Sequence, residues 1–331
     1  ESALQNHLGV PKLSLLSNGT IALLVAGNVL GLKGEVITTP FTFAATAHSI
    51  SWAGATPVFA DIDPVSMTLS PEAVEAAITP RTSAIVAVHV FGIPCDVDAL
   101  AVIARKHNLA LIYDGAHAFG LEINNKGIGN FGDITMYSFH ATKLFHTTEG
   151  GALACASEEM HSRIEHAKNF NILNEETVGG VGINGKMNEV RAAVGLTVLE
   201  VMDEERAQRE RIEAVYREAL ADIPGITLQP VLPQVTRKSL QYFSIRVDQD
   251  EYGMSRNDLH QALKGHNVIA RKYFYPLCST FECYKGLPSS AAENLPVATR
   301  IASQCMALPF YGGLTDADVF NIVDLIKNMP R

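Results

Sequence analysis

The sequence predicts an α/β protein with an open, mostly parallel central sheet and a smaller α+β part behind it. Three observations lead there. Strand-like and helix-like segments alternate from Thr20 to about residue 160, the order that builds parallel sheets. The run Ala84-Ile85-Val86-Ala87-Val88-His89-Val90 is nearly continuous in apolar residues, as suits a strand covered on both faces. Past Met187 the alternation lapses into one long helical stretch followed by loosely ordered strands and helices. At 331 residues the chain exceeds one small core, so we divide it into a large domain, 1–205, and a small domain, 206–331.

Each element has a local reason. The chain opens at Glu1 inside an apparent helix, which leads to the expectation that an N-terminal segment precedes it. Residues 21–32 carry apolar side chains at helical spacing, with Gly19-Thr20 at their N-terminal side. Residues 35–39 form a short strand that Pro40 ends. Residues 43–53 read as a helix and 56–61 as the next strand. Ser70-Pro71-Glu72 starts a helix, serine capping free N–H groups and proline standing where no N–H is needed. Residues 96–107 are helical, 109–114 a strand, and short strands follow near 134–139 and 151–156. The long helical stretch covers 187–220. After it come strands at 226–228 and 242–247 and helices at 256–264 and 315–327.

Composition narrows the function. A net charge of −9 argues against a nucleic-acid partner, because a phosphate backbone wants a basic face. No apolar run approaches the roughly 20 residues needed to span a bilayer, and no signal peptide is visible. The five cysteines, Cys95, Cys155, Cys278, Cys283 and Cys305, are odd in number and contain no CxxC pair. They fit a reducing compartment, the cytoplasm, better than a disulfide framework or a zinc site.

The candidate chemistry lies at strand ends, where open α/β sheets bind their ligands. One strand ends on Asp114, within Asp114-Gly115-Ala116-His117. Another leads into Ser138-Phe139-His140-Ala141-Thr142-Lys143, followed by Glu149-Gly150-Gly151. A carboxylate for a ring nitrogen, a hydroxyl for a phosphate and an amine for an imine are what a pyridoxal phosphate needs. Gly19-Thr20 at a helix start offers free N–H groups and a favourable dipole to that phosphate. Phe43 could stack on a flat ring. Each residue also has a plainer reading: a solvated lysine, a capping acid, an ordinary N-cap, a core phenylalanine. The segment 182–189, with Asn184, reads by itself as a turn. Asp61, Asp63, His89, Asp96, Asp98 and His117 would permit a metal hydrolase, but no HxH or HExxH pair is present and no spacing matches a metal loop, so no metal is expected.

Taken together these segments resemble the DegT/DnrJ/EryC1/StrS family of pyridoxal-phosphate-dependent sugar aminotransferases. The likeness covers nearly the whole chain, through 17–23, 35–37, 54–59, 77–82, 89–92, 114–118, 138–151, 182–193 and 308–311. Asp-Gly-Ala-His stands at 114–117 where Asp-Ala-Ala-Gln or Asp-Ala-Ala-His is commoner, a small departure. The resemblance implies the aspartate aminotransferase-like (type I) fold and the cofactor pyridoxal 5'-phosphate. It implies that Lys143 is the amine joined to the cofactor, that Asp114 lies beneath the pyridine nitrogen and that His117 stands beside the phenolic oxygen. It further implies that Phe43 stacks on the ring, that Gly19, Thr20 and Ser138 cup the phosphate, and that Asn184 reaches the phosphate of the neighbouring subunit in a homodimer with shared sites.

The reaction so implied takes an amino group from L-glutamate and gives it to a nucleotide-linked keto sugar. Ser-Phe-His-x-x-Lys at 138–143 resembles members acting at carbon 4, whereas members acting at carbon 3 tend to carry Tyr-Pro in place of His140-Ala141. The expected substrate is therefore dTDP-4-keto-6-deoxyglucose, on the way to O-antigen or another glycan, with a UDP- or GDP-linked 4-keto sugar as the alternative. Lys186, Arg271, Tyr275 and Tyr311 are the candidate contacts to the nucleotide sugar. A family dehydratase would carry histidine in place of Lys143; a non-catalytic regulatory member would need only the fold.

Overall fold

The computed structural model describes residues 1–329. The chain starts with helix α1 (Ser2–Leu8) and strand β1 (Lys12–Leu16). There follow α2 (Gly19–Leu30), β2 (Glu35–Thr38), α3 (Ala44–Trp52), β3 (Thr56–Phe59), α4 (Pro71–Ala77), β4 (Thr82–Val88), α5 (Val97–His107) and β5 (Ala110–Asp114). A small hairpin, β6 (Glu122–Ile123) and β7 (Lys126–Gly127), precedes β8 (Ile134–Ser138), β9 (Gly151–Cys155) and α6 (Glu158–Ala167). A second hairpin, β10 (Ile172–Asn174) and β11 (Thr177–Val178), leads to α7 (Glu189–Glu200) and α8 (Met202–Leu220). The rest holds β12 (Ile226–Leu228), β13 (Val235–Arg237), β14 (Phe243–Val247), α9 (Gln249–Tyr252), α10 (Arg256–Gly265), α11 (Pro296–Gln304), β15 (Cys305–Leu308) and α12 (Asp316–Asn328).

Seven strands form the central sheet in the order β1-β9-β8-β5-β4-β2-β3. Pairing is parallel from β3 through β2, β4 and β5 to β8. Only β9 runs against its neighbours, pairing antiparallel with both β8 and β1. The α/β fold with a mostly parallel sheet is thus the one read from the sequence. The near-continuous apolar run of β4 has the expected cause. Ala84 and Val86 pack on the face that carries α2, α3 and α6, while Ile85 and Ala87 join the core on the other face. That second core is continuous with Tyr216 of α8 and with Phe243, Ile245, Met306 and Leu308 of the small antiparallel sheet β12-β14-β15.

Several elements escape the sequence reading. β1, α6, the two hairpins, β13, α11 and β15 are additional, and the expected helix over 187–220 is two helices. The break falls at Val201, whose φ of −101° and ψ of 5° interrupt the helical path. No glycine or proline marks it; Asn188 caps α7 through a bond from Arg191 N, and α8 starts again on Met202. Ser70 does cap α4, accepting from Ala73 N, and Asp96 caps α5, accepting from Ala99 N.

Candidate active site

The carboxyl edge of the sheet gathers the site. β5 ends there on Asp114, β8 on Ser138 and β4 on Val88, while β1 runs on into the N-terminus of α2. Because β9 runs backwards, its first residue reaches the same edge. Leu16, Gly151 and Ser138 stand side by side in register.

α2 starts where it does because Asn18 is extended and its side chain accepts from Ile21 N at 2.8 Å. The N–H groups of Gly19 and Thr20 then lie in the first turn, which has no carbonyl to receive them. The helix end is pressed onto its supports. A Cβ at Gly19 would stand 3.0 Å from the Cβ of Ser138, and one at Gly151 only 2.6 to 2.8 Å from backbone atoms of Asn18 and Gly19. A helix N-terminus with a hydroxyl beside it is an anion cup.

In front of the cup is a cavity of about 540 Å³. Asp114 lies in its wall, buried and held at both oxygens. Oδ1 accepts from Ala116 N at 3.0 Å and Oδ2 from the Thr46 hydroxyl at 2.8 Å, and Thr46 in turn meets Thr42 at 3.0 Å. Burial pushes the Asp114 carboxyl above its ordinary range; the two hydrogen bonds and Lys143 pull the other way. Lys143 is partly buried on another wall. Desolvation brings its amine down to about 8, against the pull of Asp114, so a neutral amine is accessible near physiological pH.

His117 is buried as well, and burial, helped by Lys143, holds it well below the usual histidine range. Its Nδ1 accepts from Phe91 N at 3.3 Å, which leaves the hydrogen of the neutral ring on Nε2. Phe274 stacks on the ring with centroids 5.5 Å apart, and Tyr242 meets it edge-on at 5.0 Å. The imidazole is thus a fixed, uncharged hydrogen-bond donor.

Gly19, Thr20, Phe43, Asp114, His117, Ser138 and Lys143 all line this one cavity. Phe43 is 63% exposed, so it is a wall residue and not a core one. Arg271 and Tyr311 line a second cavity of about 530 Å³, which shares Thr142, Lys143 and Tyr242 with the first. Asn184, Lys186 and Tyr275 line neither. Asn184 is exposed and pairs with Asn169; Lys186 donates to Asn169 Oδ1 at 2.6 Å and lies over the ring of Phe170. Tyr275 is exposed under the charges of Arg256 and Lys272.

Three of the acids that would have suited a metal hydrolase are engaged elsewhere. Asp61 accepts from Val297 and Ala298 N at the start of α11, Asp63 from Val65 and Ser66 N, and Asp96 from Ala99 N. His89 stacks on Tyr113 at 4.7 Å. Residues that sequence reasoning overlooked are Thr46, Gln241, Tyr242 and Phe274. Thr42 and Thr46, four apart at a helix start, were visible as a hydroxyl pair; the other three arrive from distant segments with no local mark.

The pattern of the DegT/DnrJ/EryC1/StrS aminotransferase family matches residues 1–327. The chain belongs to that family. This aminotransferase is 44% identical over 330 residues to the dTDP-4-amino-4,6-dideoxy-D-glucose transaminase of Shigella dysenteriae, covering 99% of this chain and 89% of the relative. It is 41% identical over 329 residues to the enzyme of the same name from Escherichia coli, covering 98% and 88%. The aminotransferase superposes on DesI, solved in the presence of its TDP-sugar product, with a TM-score of 0.94 and 38% identity, covering 99% of this chain and 82% of that one.

Proposed function

We propose that this aminotransferase binds pyridoxal 5'-phosphate in the first cavity and moves an amino group from L-glutamate to carbon 4 of a nucleotide-linked 4-keto-6-deoxy sugar, best dTDP-4-keto-6-deoxyglucose. One observation carries the reading: a partly desolvated amine, Lys143, and a buried, doubly bonded carboxylate, Asp114, share a cavity whose third side is an anion cup. The cradle fits the group. Gly19 and Gly151 leave the helix end against Ser138 with no room for a further side chain, which keeps the N–H groups of α2 open to a phosphate.

When bound, the cofactor supplies the electron sink that makes a carbon next to nitrogen acidic. The residues do the rest. The N-terminus of α2 and Ser138 would hold the phosphate, and Phe43 would cover the ring. Asp114 would keep the pyridine nitrogen protonated, and the Nε2 hydrogen of His117 would bond the phenolic oxygen. Lys143 would hold the aldehyde and, once released, carry a proton at its Nζ to and from the substrate carbon. A base so positioned typically contributes about 100- to 10,000-fold in rate.

The second cavity supports the sugar reading, since Arg209, Arg271 and Tyr311 face it and Lys143 closes it. Cationic and phenolic groups there suit a diphosphate-linked sugar. The two transaminase relatives favour dTDP over UDP or GDP, and the product would feed O-antigen or a related glycan. A homodimer is part of the proposal. Trp52 and Val181, 81% and 82% exposed, flank an apolar groove of about 450 Å³ that a partner subunit would cover, and Asn184, a little further along the chain, would serve that partner's site. The division near residue 205, within α8, belongs to the same reading.

The test is a panel of nucleotide keto sugars offered with glutamate, the product read by mass spectrometry and NMR. The 4-keto-6-deoxy substrate should be aminated at carbon 4; amination at another carbon refutes the regiochemistry. The purified protein should absorb in the imine region, respond to glutamate and lose both properties in Lys143→Ala. A protein without that absorbance is no pyridoxal enzyme.

A further inference from the structure

Lys143 sits in a loop, and loops do not hold a side chain still unless their backbone is tied. Phe139 N donates to Gly150 O at 2.8 Å and Thr147 N to Phe139 O at 3.0 Å, closing the base of this loop. Lys143 N donates to His140 O at 2.9 Å. The groups on either side of the lysine, Thr142 O and Leu144 N, meet neither strand nor helix. Both are met by one side chain from the C-terminal half. Gln241 Oε1 accepts from Leu144 N at 2.7 Å, and Gln241 Nε2 donates to Thr142 O at 3.2 Å.

We propose that Gln241 is a positioning residue for the reactive amine: its carboxamide grips the backbone on both sides of Lys143 and sets where the amine stands. Gln241 is 5% exposed and its bond from Leu144 N is buried, so that N–H left alone would be costly. Its neighbour Tyr242 serves the other half of the site, with its ring 5.9 Å from Lys143 Nζ and edge-on to His117. The approach to β14 therefore governs lysine and histidine together. A shift of the small sheet against the central one would carry the amine with it.

The proposal rests on Lys143 being the reactive amine. Two readouts on the full chain test it: the pH midpoint for labelling of Lys143 by trinitrobenzenesulfonate in cofactor-free protein, located by peptide mass spectrometry, and the pyridoxal phosphate dissociation constant by absorbance. Lys143 faces Asp114, His117 and Tyr242 on one side and Glu205, Arg209 and Arg271 on the other, and none of these changes. Gln241→Leu keeps the volume and removes both bonds. The labelling midpoint should rise towards that of a solvated lysine, and the dissociation constant should grow by about ten-fold or more. A folded Gln241→Leu protein with wild-type values in both overturns the proposal. Should Gln241→Leu not fold, Gln241→Glu, which keeps the acceptor but not the donor, decides by the same readouts: a smaller shift in the same direction supports the clamp, and wild-type values refute it. Failure of the cofactor reading would look different, as a wild-type protein that forms no imine absorbance while its labelling midpoint still answers to Gln241.

Discussion

The hydroxyl of Thr46 donates to Oδ2 of Asp114 at 2.8 Å, joining the first turns of α3 to the end of β5 across 68 residues of chain. It is one of two bonds that offset the desolvation of a buried carboxylate. A hydrogen bond to a charged group contributes about 1.5–3 kcal/mol. Thr46→Val should therefore push the Asp114 carboxyl higher still and weaken pyridoxal phosphate binding by about ten-fold, with Thr46→Ser restoring it. An absorbance titration giving equal affinities for valine and threonine would remove Thr46 from the site.

The amine of Lys143 is depressed from 10.5 to about 8, chiefly by burial. Below pH 8 both folded and unfolded chains hold the proton, and the folded chain bears the desolvation in full. Between about 8 and 10.5 the unfolded chain binds more protons, so stability from this group rises with pH. Lys143→Met should stabilise the cofactor-free protein at pH 7 by about 2 kcal/mol, allowing for partial solvation of the side chain. The melting-temperature gap between the two proteins should close as pH approaches 10.5. A gap that persists or widens contradicts the burial argument.

His117 should stay neutral through the physiological range, with its hydrogen on Nε2, because burial lowers it and Phe91 N occupies Nδ1. Long-range proton–nitrogen NMR should report the Nε2–H form from about pH 6 to 9. No inflection of kcat/KM near 6.5 should be lost on replacing His117 by glutamine. An imidazolium signal at pH 7 would refute this.

Gly151→Ala places a Cβ at 2.6 Å from backbone carbon of Asn18, where no flexible side chain can yield. The helix end must shift, at a stability loss of about 1–3 kcal/mol. Affinity for pyridoxal phosphate should fall further than affinity for unphosphorylated pyridoxal, since only the former uses the cup. Equal losses for both would mean that α2 does not bind the phosphate.

How far the site can be read before folding depends on the range of the interaction. Asp114 and Ser138 announce themselves because each ends a strand, and Lys143 because it follows in the loop after one, a local property of sequence. Gly19-Thr20 announces a helix start in the same way. Gln241 and Phe274 carry no such mark: a glutamine before a strand and a phenylalanine in a loop are ordinary until the fold sets one on the lysine backbone and the other on His117. The break at Val201 is equally silent, because both flanking segments favour helix and no breaker divides them.

Local periodicity and capping determined that this chain would make an α/β sheet, where β5 and β8 would end and which polar groups would stand there, because those are effects of neighbours within a few bonds. Tertiary structure alone decided that β9 would run backwards and bring Gly151 beneath α2, that Thr46 would face Asp114, and that a side chain from the C-terminal half would grip the lysine loop. Such contacts come from packing segments remote in the chain, and burial energy depends on the partner that arrives rather than on the residue that waits.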